Sequence, residues 1–278
     1  MYRISRHAGS LAVLIFLLCA SVIALLPILM GLINSFKTNG EILNNILAIP
    51  TSFQFDNYRE AFHKTHYLQS LWNTVIVTAV GLVGIIVCAS MAGYKLSRTP
   101  GKLSAFFFTL FVFSMLIPFH SIMITLTKVA KDLSVQGSPH GLGMIYIGLG
   151  VSMAIFLYHG FVKSIPRELD EAAVMDGCGE LSLFFVVIFP LLLPVTATIA
   201  ILNALWMWND FLLPLLMLTD SDDYTLLLST NMLFGRYGNN DWSAILAALI
   251  LAMLPVVAFY LLLQKWILNG IADGAVKG

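Results

Sequence analysis

Five carboxylate side chains fall within thirteen residues of a chain with few charges elsewhere: Glu168, Asp170, Glu171, Asp176 and Glu180. Two adjacent alanines and a glycine stand among these acids. A small apolar face beside an acidic face lets a helix approach a groove closely. The carboxylates can then meet basic groups or helix termini of a partner protein. The pattern favours a docking element for a soluble partner over a self-contained catalytic centre. A protein with such an element is driven from outside the membrane.

Local signals predict that this acidic segment is a short helix. A proline opens it, as suits a first helical turn, and three acids follow near the positive end of the helix dipole. Leu169, Ala172 and Ala173 share one face by helical spacing, and Gly177 can end the helix in a left-handed conformation. The predicted helix covers about residues 166–177. Spacing and composition leave open that it is a solvated connector whose charges only keep it out of the membrane.

The composition places this segment in an integral membrane protein. Hydrophobic residues make up 59% of the chain and charged residues 11%, and the mean hydropathy is +0.87. A soluble domain carries about 25% charged residues. We expect no nucleic-acid partner, although the net charge of zero gives no information on this point. The cysteines Cys19, Cys88 and Cys178 have no metal-site or disulfide spacing. We therefore expect no metal site.

The expected fold is all-α and polytopic, with six transmembrane helices and a short helix in the acidic segment. Each apolar segment is near the roughly 20 residues that cross a bilayer. The segments are Leu11–Ile33, Leu71–Ala92, Leu103–Leu126, Leu142–Val162, Leu181–Leu202 and Ser243–Leu263. Pro190 and Pro194 interrupt the fifth, and the apolar run Phe211–Leu218 follows it. The fifth segment is therefore predicted to be either one broken helix or a helix with a re-entrant piece.

The basic residues set the expected orientation. They are enriched in the loops that lie inside when the N-terminus is cytoplasmic, in accordance with the positive-inside rule. We predict a cytoplasmic N-terminus (1–10), a transmembrane domain (11–268) and a cytoplasmic tail (269–278). The first outside loop covers about 34–70 and carries a short surface helix with Tyr58, Ala61 and Phe62 on one face. The acidic segment then lies in the cytoplasm.

The acidic segment resembles a known signature. The run Glu171-Ala172-Ala173-x-x-Asp176-Gly177, with the prolines of the fifth segment after it, closely resembles the EAA motif of permease subunits in bacterial ABC importers. In that family the segment is the coupling helix, which seats in a cleft of the ATPase subunit. The resemblance implies that Glu171, Ala172, Ala173, Asp176 and Gly177 contact the ATPase. Cys178 departs mildly from the small residue that is usual there.

Further stretches resemble the maltose-type carbohydrate-uptake branch. They are Trp208–Leu215, the C-terminal run from Gln264 to Gly278, and Ile49-Pro50-x-x-Phe53 with Asn57-Tyr58. The resemblance covers nearly the whole chain. It implies a permease for a di- or oligosaccharide in the bacterial plasma membrane, with both termini cytoplasmic. The implied partners are a second permease in a heterodimer, two ATPase subunits, an extracytoplasmic sugar-binding protein and membrane lipid. This chain then needs no cofactor, because the ATPases bind ATP and Mg²⁺.

Polar and aromatic residues near the outer half of the fifth segment suit a sugar path. Aromatic rings stack on sugar CH faces, while amides and carboxylates bind hydroxyls. The candidates are Asn203, Trp208, Asn209 and Asp210. Asp210 is a rare acid beside an apolar run, which marks a functional candidate. The alternative is that tryptophan marks the membrane boundary and that Asp210 caps or pairs there.

Other functions remain open at this point. The cargo could be glycerol phosphate or another polyol, although the apolar segments contain no Arg or Lys for its phosphate. An ion-coupled secondary transporter would be a different class, and it generally needs charged or polar groups at mid-membrane. An intramembrane enzyme is disfavoured, because neither H-E-x-x-H nor G-x-S-x-G occurs.

Overall fold

The computed structural model describes residues 2–235 and 240–275, with side chains described for 13–235 and 240–261. All regular structure in these residues is helical. The helices are α1 (Tyr2–Asn34), α2 (Asn39–Asn44), α3 (Asp56–Lys64), α4 (Tyr67–Arg98), α5 (Lys102–Ser114), α6 (Phe119–Asp132), α7 (Pro139–Val162), α8 (Glu168–Met175), α9 (Glu180–Ser182), α10 (Phe189–Leu191), α11 (Leu193–Trp208), α12 (Leu212–Met217), α13 (Leu226–Ser229) and α14 (Trp242–Ala275). A π-helical segment, Leu183–Ile188, joins α9 to α10.

The predicted all-α polytopic membrane fold is confirmed. Four helices are long and apolar enough to cross a bilayer: Val13–Asn34 of α1, then α4, α7 and Trp242–Leu261 of α14. Two bent pairs raise the number of spans to as many as six among the described residues. One pair, Glu180–Leu191 with Leu193–Trp208, bends by 76°. The predicted break in the fifth segment is thus observed, and Phe211–Leu218 contains the separate helix α12.

The third apolar segment forms two helices at a sharp bend and not one continuous helix. α5 ends at Ser114, and α6 begins at Phe119 after a bend of 103°. Pro118 precedes α6 with extended dihedral angles (φ −63°, ψ 132°). Proline has no N–H to continue the α5 hydrogen-bond ladder, and it disfavours helical geometry in the residue before it. The break therefore falls where the chain cannot remain helical.

The predicted terminal boundaries do not coincide with breaks in the helices. The backbone of residues 2–10 belongs to α1, and residues 269–275 belong to α14. The last three residues of the predicted tail, 276–278, lie outside the described residues, as does Arg236, one of the basic residues assigned to an outside loop.

The chain forms two compact units. The first contains the residues up to Tyr67 together with Thr230–Leu254. Its long loop is ordered by polar side chains. Thr38 and Glu41 form a capping box on α2, and Glu41 also accepts hydrogen bonds from the backbone and hydroxyl of Thr51. Lys37 is fully buried and donates to the carbonyls of Asn45 and Ile46. The surface helix predicted in this loop is α3, which buries Ala61.

The second unit contains Leu68–Ser229 and the chain from Pro255 onward. Its core is built where α4, α7 and α11 pack closely. At Gly93 of α4, an added β-carbon would lie 2.7 Å from Cβ of Tyr158 and 3.0 Å from the backbone N of His159. At Gly150 of α7, it would lie 2.8 Å from Oδ1 of Asn203. Small residues at such contacts let the backbones of membrane helices approach each other closely. The backbone of α4 therefore packs directly against α7 at Gly93.

Candidate functional site

The acidic segment forms α8, and Gly177 ends it as the sequence predicted. Gly177 has φ +82°, in the left-handed region. Its N–H donates to the carbonyl of Val174 at 3.0 Å, and the N–H of Cys178 donates to the carbonyl of Ala173 at 3.0 Å. These two bonds are a Schellman motif. The helix is shorter than predicted, since it begins at Glu168 and leaves Pro166 in the preceding turn.

One side of α8 is buried against the rest of the second unit. Ala173 is buried and Asp170 is half-buried, whereas Leu169 and Ala172 are exposed. Of the three residues predicted to share a small apolar face, only Ala173 is turned toward the rest of the described chain, and that this face meets a partner stays a prediction. The physical reason is that Asp170 has strong polar partners on α4, so the helix rotates this carboxylate inward and carries the neighbouring Ala173 with it.

No described part of the chain buries the outer side of α8. Glu171, Ala172 and Met175 are exposed there, and Met175 has an exposed fraction of 87%. Asp176 caps the C-terminus and is also exposed. Of the five predicted coupling residues, four are therefore exposed, and Ala173 supports the helix from beneath. An exposed methionine beside small and acidic residues can meet an apolar groove with a basic rim.

A partly buried polar cluster holds the inner side of α8 to the end of α4. Arg98 Nη2 lies 2.9 Å from Asp170 Oδ2, and the two side chains are 12% and 16% exposed. Arg98 Nη2 also donates to the carbonyl of Ile165 at 3.0 Å, in the turn before α8. The hydroxyl of Tyr94 donates to Asp170 Oδ1. Removing a carboxylate from water is costly without partners. Here Oδ1 accepts a hydrogen bond from Tyr94, whereas Oδ2 has the Arg98 charge beside it but no hydrogen bond.

An open groove runs beside this cluster between α4 and α8. Its volume is about 600 Å³, and its walls include Tyr94, Arg98, Asp170, Val174 and Phe184. The three members of the polar cluster, Tyr94, Arg98 and Asp170, therefore form part of the groove wall.

Asp210 is a helix-capping residue in this structure. Its Oδ1 accepts the N–H of Leu212 at 3.0 Å, at the start of α12, and its Oδ2 accepts the hydroxyl of Tyr146 at 2.8 Å. Tyr146 is fully buried and meets the ring of Trp206 edge-on, with centroids 5.2 Å apart. The carboxylate thus fixes the turn between α11 and α12 against α7.

The other predicted path residues do not form one cluster with Asp210. Asn203 is buried, and its amide donates to the carbonyl of Ile199 at 2.9 Å. Asn209 is exposed, and its amide donates to the carbonyl of Leu205 at 2.8 Å. Trp208 is half-buried. Their role in substrate passage stays a prediction.

Sequence reasoning missed three side chains that organise these sites: Tyr94, Arg98 and Tyr146. In the sequence, Arg98 is one basic residue of the loop between the second and third apolar segments, which indicates topology alone. A tyrosine inside an apolar segment (Tyr146) or just after one (Tyr94) was the available signal for the other two, since a buried hydroxyl needs a hydrogen-bond partner. The partners themselves could not be named from local sequence.

The chain matches a known family over most of its length. A family model described as "binding-protein-dependent transport system inner membrane component" matches residues 84–273, a range that includes α8 and α11. The chain belongs to this family. It is therefore a membrane component of a transport system and not an enzyme, and the predicted resemblance to importer permeases is confirmed.

Curated relatives match over nearly the full chain. The probable starch degradation products transport system permease protein AmyC of Thermoanaerobacterium thermosulfurigenes is 39% identical over 92% of this chain and 93% of its own. The melibiose/raffinose/stachyose import permease protein MelC of Bacillus subtilis is 35% identical over 98% and 100%. The multiple sugar-binding transport system permease protein MsmG of Streptococcus mutans is 33% identical over 95% of each chain. All three names are those of sugar or starch-product permeases.

A solved structure shares the fold. A chain in the crystal structure of a bacterial ABC transporter involved in the import of the acidic polysaccharide alginate superposes with a TM-score of 0.80. The alignment covers 94% of this chain and 97% of that chain, at 21% sequence identity. The likeness supports the helical arrangement of an importer permease.

Proposed function

We propose that this chain is a permease subunit of an ATP-driven importer for a di- or oligosaccharide. It forms half of the translocation path with a second permease, and it works with two ATPase subunits and an extracytoplasmic sugar-binding protein. The observation that carries the proposal is full-length similarity to sugar-uptake permeases, with 39% identity to a starch-product permease. In this arrangement α8 and both termini lie in the cytoplasm, and the separate ATPases bind ATP and Mg²⁺.

The proposed coupling surface is the outer side of α8. Glu171, Ala172 and Met175 are exposed, and the Schellman turn at Gly177 fixes where the helix ends. A short helix that is capped and attached on one side moves as a unit when a partner binds the other side. Closure of the ATPases on ATP pulls the two coupling helices together, and the helix bundle opens outward. Hydrolysis and release return it to the inward-open state.

The proposed sugar path runs past the turn between α11 and α12. Asn209 is exposed there, and Trp208 is half-exposed beside it. Asp210 shapes this turn through Tyr146 and Leu212, while Asn203 supports α11 against α7. The described parts of α4, α7 and α11 carry no Asp or Glu, and the only Lys and Arg there are at the last turn of α4. This pattern favours a neutral cargo over ion coupling.

The docking assignment is tested by reversing one charge on the outer side of α8. Glu171→Lys is expected to abolish co-purification of the ATPase and sugar uptake, because the carboxylate faces the proposed cleft. Membrane insertion should persist, since Glu171 is exposed. Asp132→Lys makes the same charge change at the exposed end of α6, on the proposed outer side, and should leave ATPase association intact. Survival of both association and uptake in Glu171→Lys would show that the docking assignment is wrong.

The cargo is tested on the intact transporter. The binding protein that co-purifies with this permease is denatured, and its released ligand is identified by mass spectrometry. A di- or oligosaccharide supports the proposal, whereas a phosphorylated polyol would replace the sugar with the alternative cargo.

A further inference from the structure

We propose that Arg98, Tyr94 and Asp170 form a latch that transmits movement of α8 to α4, and that Arg98 and Tyr94 are positioning residues for coupling. The inference rests on the proposed docking of α8 to an ATPase. It adds a defined route by which the movement enters the membrane helices, and it assigns that route to side chains outside the matched motif.

The latch joins α4 to both ends of the short segment from Ile165 to Asp170. Asp170 is on the first turn of α8, and Arg98 is the last residue of α4. The guanidinium of Arg98 contacts both the Asp170 carboxylate and the carbonyl of Ile165, so it holds the helix and the turn that leads into it. Both contacts are made by one nitrogen, Nη2, which donates a hydrogen bond to the Ile165 carbonyl and pairs by charge with Asp170 Oδ2. One side chain therefore connects α4 to both parts of this segment.

The α4 end of the latch is itself fixed. At Gly93 the backbone of α4 lies against Tyr158 and His159 of α7, and no side chain fits between the two helices. The ring of Tyr94 also packs on Phe184, which is buried in the π-helical segment, with centroids 5.4 Å apart. A displacement of α8 that reaches Tyr94 and Arg98 thus acts on α4 and α7 together, and these helices form the core of the unit.

A second ion pair nearby supplies a matched control. Lys95 of α4 lies 3.3 Å from Glu180 of α9, but the two side chains are 63% and 88% exposed. Exposed pairs are screened by water and contribute little. The two pairs start on the same turn of α4 and differ mainly in burial. Their comparison separates transmission through the latch from a general change of charge on this surface.

The experiment uses the complete transporter reconstituted in proteoliposomes. Tyr94→Phe removes one hydroxyl and keeps the ring on Phe184, and Asp170→Asn removes the charge at nearly constant volume. Both variants should keep the ATPase bound, and both should raise the ATP hydrolysed per sugar imported by about tenfold, the scale of a lost hydrogen bond to a charged group. Lys95→Gln and Glu180→Gln should leave that ratio unchanged. The double variant Arg98→Asp with Asp170→Arg should recover part of the coupling.

The outcomes are distinct. An unchanged ratio in Tyr94→Phe and Asp170→Asn overturns the latch, and so does an equal rise in the Lys95 and Glu180 variants. A proportional fall of uptake and hydrolysis together with loss of the ATPase assigns the cluster to folding of α8 and also overturns it. If Glu171→Lys keeps the ATPase bound, the docking proposal fails by itself. Tyr94→Phe preserves all apolar packing, so it decides the question even where Asp170→Asn does not insert.

Discussion

Gly177 allows a quantitative test of how α8 is ended. The residue has φ +82°, and a β-carbon added there would meet nothing within 4 Å. The cost of a substitution is therefore only the conformational free energy of placing a non-glycine residue at positive φ. A non-glycine residue in the left-handed region costs about 1–2 kcal/mol. We expect Gly177→Ser to weaken the capped state by about 1 kcal/mol, which changes its population ratio about fivefold.

The matched control is Gly179→Ser, two residues away. Gly179 has φ −70° and ψ 161°, also has open space around its Cα, and stands at the N-cap of α9. Serine adopts these angles freely and is a preferred N-cap. Gly177→Asn should lie between the two variants, because asparagine tolerates the left-handed region better than serine does.

The assay is amide hydrogen exchange over the peptide that contains α8 and its cap. Gly177→Ser should raise exchange of the amides that donate to Ala173 and Val174 about fivefold, and Gly179→Ser should not. ATPase association should follow the same order. Equal exchange in the serine variants at the two glycines would refute the argument that backbone conformation at Gly177 holds the end of the helix.

Two further predictions concern the turn after α11 and the loop after α1. Asp210→Ala should lower stability by about 1 kcal/mol in thermal unfolding, because the α12 cap and the Tyr146 partner are lost. Asp210→Asn keeps a capping oxygen and should preserve both the unfolding midpoint and the KM for sugar. A raised KM with an unchanged midpoint would instead indicate direct substrate contact. Hydrogen bonds from Thr51 and Thr38 lower the pKa of Glu41 from 4.5 to about 2. Since the folded pKa is depressed, amide protection of this loop should be complete above about pH 4.5 and be lost as the pH falls towards 2. Glu41→Gln should remove this pH dependence, and persistence of the same transition in that variant would assign it to another group.

Several features followed from local sequence because local physics decides them. The length of an apolar run sets a span, so the candidate membrane segments could be recognised. A proline removes a helical N–H, which placed the break in the fifth segment near Pro190 and Pro194. A glycine adopts positive φ without strain, which placed the end of α8 at Gly177. These effects act within a few residues, and the type of residue is enough to predict them.

Tertiary packing decided the rest. The inward face of α8 depends on Tyr94, which is 76 positions from Asp170 in the chain, and the role of Asp210 depends on Tyr146, which is 64 positions away. Helical spacing could group Leu169 with the two alanines. It could not show that the carboxylate of the next residue, Asp170, pairs with Arg98 of α4. By itself the amino-acid sequence indicated an importer permease and a short acidic helix that ends at Gly177. Only the tertiary structure decided how that helix is attached, because the energy of a buried charge depends on which partners the fold brings to it.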